Sequence, residues 1–513
     1  MTQDSCGAEG PVWDLLVIGG GINGVAIARD AAGRGLRVCL CEQDDLAAHT
    51  SSASTKLIHG GLRYLEQHDF GLVRHALRER ELLLRLAPHI VRPQRFVLPY
   101  HAGLRPRWLI RLGLFLYDHL FLGRSLPASR AIDLRRHPAG GALKQVYRHG
   151  FEYTDCRVSD ARLTVLTAMD ARERGAGILT HTRCTGLQRD RAGWTAELRQ
   201  RPGGAVLRLR ARAVVNAAGP WVDRVRALPA GGGTTGRLRF VKGSHLVVRR
   251  LVDHDFAYLF QAGDGRVLFA IPFERDFTLL GTTEVELPGP AESPRITADE
   301  TDYICRTASE YLRTPVLPEQ VVWSYSGVRP LYDDAHGDAS AVSRDYHLAL
   351  EGGEAPLLSV YGGKITTHRR LAEEALALLQ GAIELPGGPW TATSTLPGGD
   401  LPGADPESFL ADCRRRWPWL EGELLARYAG TYGTRLSRLL RGCTTMADLG
   451  RHFGGGLHQR EVDYLMDQEF AFHADDVVWR RTWCGLRMDA RQIGELESWM
   501  EKKRPRESRA RNP

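Results

Sequence analysis

The chain of 513 residues reads as an α/β protein: a Rossmann-like dinucleotide-binding domain, an inserted substrate domain with a mixed or antiparallel β-sheet, and a C-terminal helical domain. Three observations predict this. A strand, glycine loop, helix and second strand open near residue 13; hairpin-like apolar alternation runs through "GRVLFAIPFERDFTLLGTTEVE"; and helical apolar spacing follows a Pro/Gly-rich stretch beginning at residue 389. The length exceeds one ordinary core and suggests about three domains.

The composition, 43% hydrophobic and 25% charged, argues against disorder and against a membrane-spanning bundle. The net charge of +7 would suit nucleic acid, anionic lipid or an anionic metabolite and does not choose among them. Nine cysteines without a CxxC pair, with Cys39 and Cys41 two apart on one strand, fit a reducing compartment. "MTQDSCGAEGPVWD" lacks a basic region ahead of an apolar run, so no cleaved signal peptide is expected. No stretch supplies the roughly 20 apolar residues that cross a bilayer, and a cytoplasmic location follows.

"WDLLVIGGGINGVAIARDAAGRGLRVCLCEQ" carries the first site. Gly19 makes the sharp turn, Gly21 lets backbone approach a pyrophosphate at a helix N-terminus, and Gly24 lets helix lie close on strand. Glu42 ends the second strand about 20 residues on, where a carboxylate accepts ribose hydroxyls. A nicotinamide enzyme would follow this unit with more alternating strands and helices. This chain turns instead to "SSASTKLIHGGLRYLE", so flavin is favoured. The hydroxyl-rich stretch around Thr50, Ser51, Ser52 and Lys56 lacks helical or sheet periodicity and suits phosphate and ribityl oxygens. His59 and Gly60 then begin a close backbone approach, and a helix through Leu82, Leu83 and Leu86 ends before Pro88.

"VLRLRARAVVNAAGPWVDRV" reads as a strand ending in small residues, where Asn216, Ala217 and Gly219 leave room for a cofactor or simply close a hairpin. "APLLSVYGGKITTHRRLAEEALALL" reads as strand, Gly362 and Gly363, Lys364, and a helix that Thr366 or Thr367 could cap. That helix N-terminus would offer amides and partial positive charge to a flavin edge.

"VIGGGINGVAIARDAAGRGL", "SSASTKLIHGGLRYLE", "NAAGPW", "KGSH", "YSGVRPL" and "YGGKITTHR", in this order, resemble the aerobic glycerol-3-phosphate dehydrogenase family, within the broader D-amino-acid-oxidase-like flavoproteins. The resemblance runs from about Trp13 to "RRTWCGLRM" near residue 481, and the combination of "HGGLRYL", "SGVRPL" and "GGKITT" is its specific part. It implies an FAD-binding Rossmann-like domain whose cofactor contacts add Ala218, Gly219, Gly363, Lys364, Ile365 and Thr366 to the residues above. It implies oxidation of sn-glycerol 3-phosphate to dihydroxyacetone phosphate by hydride transfer to the flavin, with ubiquinone or menaquinone as acceptor. Arg63, Tyr64, Thr282, Arg329, Arg344 and Lys364 would hold the substrate, guanidinium forks suiting phosphate oxygens. Spacing alone equally allows Arg63 as a solvated helix residue and Tyr64 as core.

His245 in "KGSHLVV" is the expected general base, a neutral imidazole able to take the C2 hydroxyl proton, with Arg329 as the competing catalytic group. "LRPRWLIRLGLFLYDHLFLGR", residues 104–124, mixes bulky apolar residues with Arg105, Arg107, Arg111 and Arg124. It suits a segment lying in a lipid surface, or a core helix with snorkelling arginines. The family behaviour implies peripheral attachment to the cytoplasmic membrane face, and a homodimer is a further expected association. A soluble oxidase passing electrons to oxygen would share nearly every motif. A tRNA-associated flavoprotein would not need the arginines together with His245 and Lys364, so nucleic acid is not an expected partner. No HExxH-like spacing occurs, and no metal is expected.

The expected division is a discontinuous FAD domain of 1–103, 150–240 and 325–388, a membrane-facing insert at 104–149, a substrate-domain sheet at 241–324, a linker at 389–400 and a helical domain at 401–513 with a frayed, charged tail.

Overall fold

The computed structural model describes residues 11–62, 69–121, 123–229, 233, 238–333, 345–353 and 355–504. "WDLLVI" forms the strand Trp13–Ile18, buried from its second residue onward. The apolar run Leu15–Ile18 within it is what a strand covered on both faces requires. It pairs in parallel with Val38–Cys41 on one side and Val206–Asn216 on the other, and the parallel set continues to Gly177–Leu179 and Leu357–Tyr361.

Alternate residues of these strands face two separate cores. Leu15, Val17, Leu40 and Val215 pack with the helices Ile22–Gly33, Asp160–Glu173 and His368–Leu379. Leu16, Ile18, Cys39 and Val214 pack with Leu187, Trp194 and Leu198 of the antiparallel strands Thr182–Asp190 and Gly193–Gln200. The alanine-rich first helix is buried nearly all round, which the small side chains permit.

A second sheet contains ten strands among the described residues. Its spine is Leu238–Arg249, paired antiparallel with Val321–Tyr332 and with Phe277–Gly281. This sheet draws on more of the chain than the expected 241–324, because Leu57–Ile58, Val91–Tyr100, Arg130–Asp133 and His149–Val158 also belong to it. The cause is apolar matching: Phe96, Leu98, Phe151 and Tyr153 share one cluster with Leu259, Ile271 and Phe277. The other face is covered by the helix Ala298–Tyr311, started by a reciprocal Thr297 and Glu300 cap.

The helix Phe70–Leu86 forms where its apolar spacing placed it, with Asp69 accepting the Leu72 N–H at 3.0 Å. The expected side-chain cap by Thr366 or Thr367 does not form; a 3-10 turn, Ile365–Thr367, tightens the backbone ahead of the helix instead. The C-terminal helices Pro406–Arg416, Gly422–Tyr432, Gln459–Gln468 and Ala490–Lys503 surround their own core. The stretch read as a linker is well anchored, since Trp390 donates Nε1–H to Asp30 O at 3.1 Å and Leu396 is buried in the first core.

Candidate active site

The carboxyl ends of the parallel strands open on a trough, the position where open α/β sheets bind ligands. One cavity, of about 140 Å³, is walled by Ile18, Gly19, Glu42, Ala218 and Gly219. A second, of about 670 Å³, is walled by Asn23, Thr55, His59, Thr282, Arg329 and residues 362–366. The two share Gly21, Thr50, Ser51, Ala217 and Gly219, so the site is elongated.

The glycine loop is shaped as its sequence required. Gly19 holds φ at +114°, and a Cβ on Gly24 would overlap the Gly19 carbonyl oxygen. Glu42 Oε2 accepts the Gly20 N–H at 2.6 Å and Oε1 the Asp44 N–H at 2.9 Å. Burial raises its pKa, opposed by those two amides. Each carboxylate oxygen keeps a further lone pair, so Glu42 can still accept a sugar hydroxyl.

The stretch 50–61 divides by physical task. Ser51 Oγ accepts the Ile22 N–H at 2.9 Å and lines the trough. Thr50 Oγ1 donates to Val328 O at 2.7 Å, tying the loop to the second sheet. Ser52 donates to His49 O at 3.2 Å and borders an adjoining cleft, not the trough. Lys56, expected on the cofactor, is turned away: its ammonium lies 2.8 Å from Asp160 Oδ1 and donates to Ser52 O at 2.9 Å. Asp160 is wholly buried and demands a counter-charge, which outweighs any pull toward the trough. His59 lines the larger cavity, where burial, Lys364 and Arg80 depress its pKa against the pull of Asp155. Gly60 lies behind the wall, donating its N–H to Tyr117 Oη at 2.8 Å.

On the opposite wall, three strands make space for one another. A Cβ on Gly243 would lie 2.8 Å from Thr282 Oγ1 and 2.9 Å from Arg329 Nη2; one on Gly327 would meet Ala53 Cβ at 2.7 Å; one on Gly281 would overlap the His245 ring. Arg329 Nη2 sits 3.5 Å from Thr282 Oγ1, and Nη1 sits 3.5 Å from Glu284 Oε1. Lys364 and Ile365 follow Gly362 and Gly363, both in left-handed conformation, and Asn23 Nδ2 donates to Gly362 O at 3.0 Å. Arg329 and Lys364 bring two cations to this cavity, whose lining also includes Glu284 and Glu286.

His245 is 1% exposed and is not among the residues lining the cavity. Its ring stacks on Tyr325 at 4.7 Å, and Nε2 lies 3.0 Å from Thr55 Oγ1, which does line the cavity. Burial, then Arg329 and Lys56, hold the imidazole far below its ordinary pKa, so it is neutral. The structure therefore brings together Gly19, Gly21, Glu42, Thr50, Ser51, His59, Ala218, Gly219, Thr282, Arg329, Gly363, Lys364, Ile365 and Thr366 along the trough. It sets Ser52, Lys56, Gly60 and His245 behind the wall. Arg63, Tyr64 and Arg344 lie outside the described residues. Thr55 lines the trough within the stretch 51–61 that the resemblance implied for the flavin, whereas Asn23 and Glu284, which also line it, carried no local signal in the sequence.

The left-handed loop, the close strand–helix approach, the carboxylate at the second strand's end and the long trough together fit FAD. Residues 14–369 match the family described as FAD dependent oxidoreductase, and the chain belongs to it. Its cofactor is FAD. Within that class, the chain is 49% identical over 500 residues to a glycerol-3-phosphate dehydrogenase of Pseudomonas aeruginosa, covering 97% of both. It is 45% identical to the aerobic glycerol-3-phosphate dehydrogenase of Escherichia coli (95% of this chain, 97% of that) and 47% identical to a D-erythritol 1-phosphate dehydrogenase of Brucella abortus (96% and 99%). The glycerol-3-phosphate dehydrogenase of Bacillus halodurans, solved with FAD, superposes with a TM-score of 0.76 at 27% identity, covering 96% of this chain and 90% of that one.

Proposed function

We propose that this FAD-dependent oxidoreductase converts sn-glycerol 3-phosphate to dihydroxyacetone phosphate and delivers the electrons to a membrane quinone, ubiquinone or menaquinone. The observation that carries this reading is that Arg329, Thr282 and Lys364 line the same cavity of a trough shaped for FAD, with Arg329 Nη2 3.5 Å from Thr282 Oγ1. The near-full-length relatives bearing glycerol 3-phosphate and erythritol 1-phosphate in their names support it, since both compounds combine a phosphate with a secondary alcohol.

In this reading Gly19, Gly21, Gly24, Glu42, Ser51, Gly219 and residues 363–366 hold the cofactor. FAD, when bound, supplies the acceptor for hydride. Arg329, Lys364 and Thr282, joined by Arg63, Tyr64 and Arg344, fix the phosphate and orient the C2 carbon, because charge-assisted forks restrain an anionic group in both position and angle. His245 takes the hydroxyl proton, its neutral imidazole being the acceptor form.

Membrane delivery rests on the helix Arg107–His119. It buries Leu114 and Tyr117 while exposing Trp108, Leu112, Phe115 and Leu116, and Arg105 and Arg107 stand exposed at its start. Apolar residues flanked by cations suit an anionic lipid surface. Among the described residues no helix is long and apolar enough to cross a membrane.

The test is a two-acceptor assay with glycerol 3-phosphate, following quinone reduction and hydrogen peroxide separately. Quinone reduction with little peroxide is expected. Peroxide formation that quinone fails to suppress would make the protein an oxidase.

A further inference from the structure

The placement of His245 raises a difficulty that the structure also answers. A base must reach the proton it takes, by about 2.6–3.2 Å directly or through one water, and a hydroxyl can pass a proton in the same way because it both donates and accepts. Yet His245 does not line the cavity, and its Nδ1 has no hydrogen-bond partner among the described residues. Nε2 has one such partner, the Thr55 hydroxyl at 3.0 Å. Thr55 borders the cavity that also contains Thr282 and Arg329.

We propose that Thr55 is a further catalytic residue: its hydroxyl relays the substrate proton from the cavity to His245 Nε2. This rests on the assignment of His245 above. As C2 loses its hydrogen as hydride to the cofactor, the C2 hydroxyl gives its proton to Thr55 Oγ1, Thr55 gives its own to Nε2, and the C2–O bond becomes a carbonyl. Threonine ends unchanged, imidazole becomes imidazolium, and two electrons leave the alcohol. After product departs, the proton returns through the same hydroxyl.

The surroundings agree with that direction of transfer. Burial first, then Arg329 and Lys56, oppose imidazolium and keep the base unprotonated. A phosphate dianion at Arg329 would offset that repulsion at the moment the proton arrives. The Tyr325 ring, stacked at 11° to the imidazole, favours the cation once formed. Gly281 leaves space for the ring, which a Cβ there would overlap, while Nε2 stays 3.0 Å from Thr55 Oγ1.

The test uses FAD-loaded protein with Thr55→Val, Thr55→Ser, His245→Asn and the Thr55→Val/His245→Asn pair, measuring anaerobic flavin reduction by glycerol 3-phosphate. Thr55→Val and His245→Asn should each slow reduction by about 10²–10⁴-fold. The pair should be no slower than either alone, and Thr55→Ser should recover most of the rate. Histidine-selective nitrogen NMR on the FAD-loaded protein gives a second readout: Thr55→Val should shift the His245 Nε2 resonance. If Thr55→Val reduces flavin at the parent rate while His245→Asn is slow, the relay is overturned and His245 stands. If both are fast, the assignment of His245 falls and the relay with it. An unmoved Nε2 resonance would equally contradict the hydrogen bond.

Discussion

Gly243, Gly281 and Gly327 sit on three neighbouring strands, and each leaves a gap filled by a functional or loop side chain from another. A methyl group at Gly281 would occupy the place of the His245 ring. Gly281→Ala should therefore turn the imidazole away from Thr55 and slow flavin reduction by about 10²-fold, the scale of a 1 Å misplacement, while FAD stays bound. Stopped-flow reduction beside a flavin absorbance spectrum checks both halves. Arg329→Ala removes a charge-assisted contact worth about 1.5–3 kcal/mol, so kcat/KM for glycerol 3-phosphate should fall by about 10–150-fold. Arg329→Lys should recover only part of this, because an ammonium cannot reproduce the planar fork.

At the scale of single elements, the helix Arg107–His119 presents one face to the protein and another to its surroundings. Trp108 is 68% and Phe115 47% exposed, whereas Tyr117 is buried and bridges Gly60 to Asp155 with hydrogen bonds of 2.8 Å. Replacing Trp108 and Phe115 together by glutamine should lower partitioning into anionic vesicles by about 10-fold or more, read by sedimentation. Elements with local signals were legible in sequence. The glycine turn, the helix after it and Glu42 fall within 30 residues, and the hairpin at 267–281 needs only its own alternation. What escaped depends on distant partners. Leu57–Ile58 joins the second sheet by pairing with Cys156 and Arg157, Lys56 is claimed by Asp160, and Thr55 meets a histidine 190 residues away. No periodicity within one segment reports such pairings.

Across the whole molecule, the C-terminal domain braces the cofactor loop. Arg481 Nη2 reaches Asp45 Oδ1 at 2.7 Å with both side chains almost fully buried, and Arg480 reaches the same carboxylate at 2.6 Å. Burial alone would raise the Asp45 pKa, but Arg481 and Arg480 hold it below the usual carboxylate range. Trp479 also stacks on Trp323 of the second sheet at 4.8 Å. Arg481→Ala leaves the buried Asp45 with Arg480 as its remaining guanidinium, so it should cost less than the roughly 3–5 kcal/mol of a fully stranded buried charge, read as a lower Tm and weaker FAD retention. Stability should also depend on pH through imidazoles kept neutral by burial. His89 is pushed down to about 3, by burial and then Arg162 and Arg92, and His368 to about 4, chiefly by burial. Both titrate near 6.5 when unfolded, so the unfolded chain binds more protons between those values. Stability should be full above about pH 6.5 and fall on acidification by roughly 1.4 kcal/mol per pH unit for each imidazole. His89→Gln should flatten the curve of Tm against pH.

All of this presumes that a phosphorylated secondary alcohol is held beside bound FAD. Mixing the yellow, FAD-loaded protein anaerobically with glycerol 3-phosphate tests that most directly. The expected result is rapid loss of visible flavin absorbance at substrate concentrations that unphosphorylated glycerol cannot match; flavin that keeps its colour, or bleaches equally with glycerol, would contradict it.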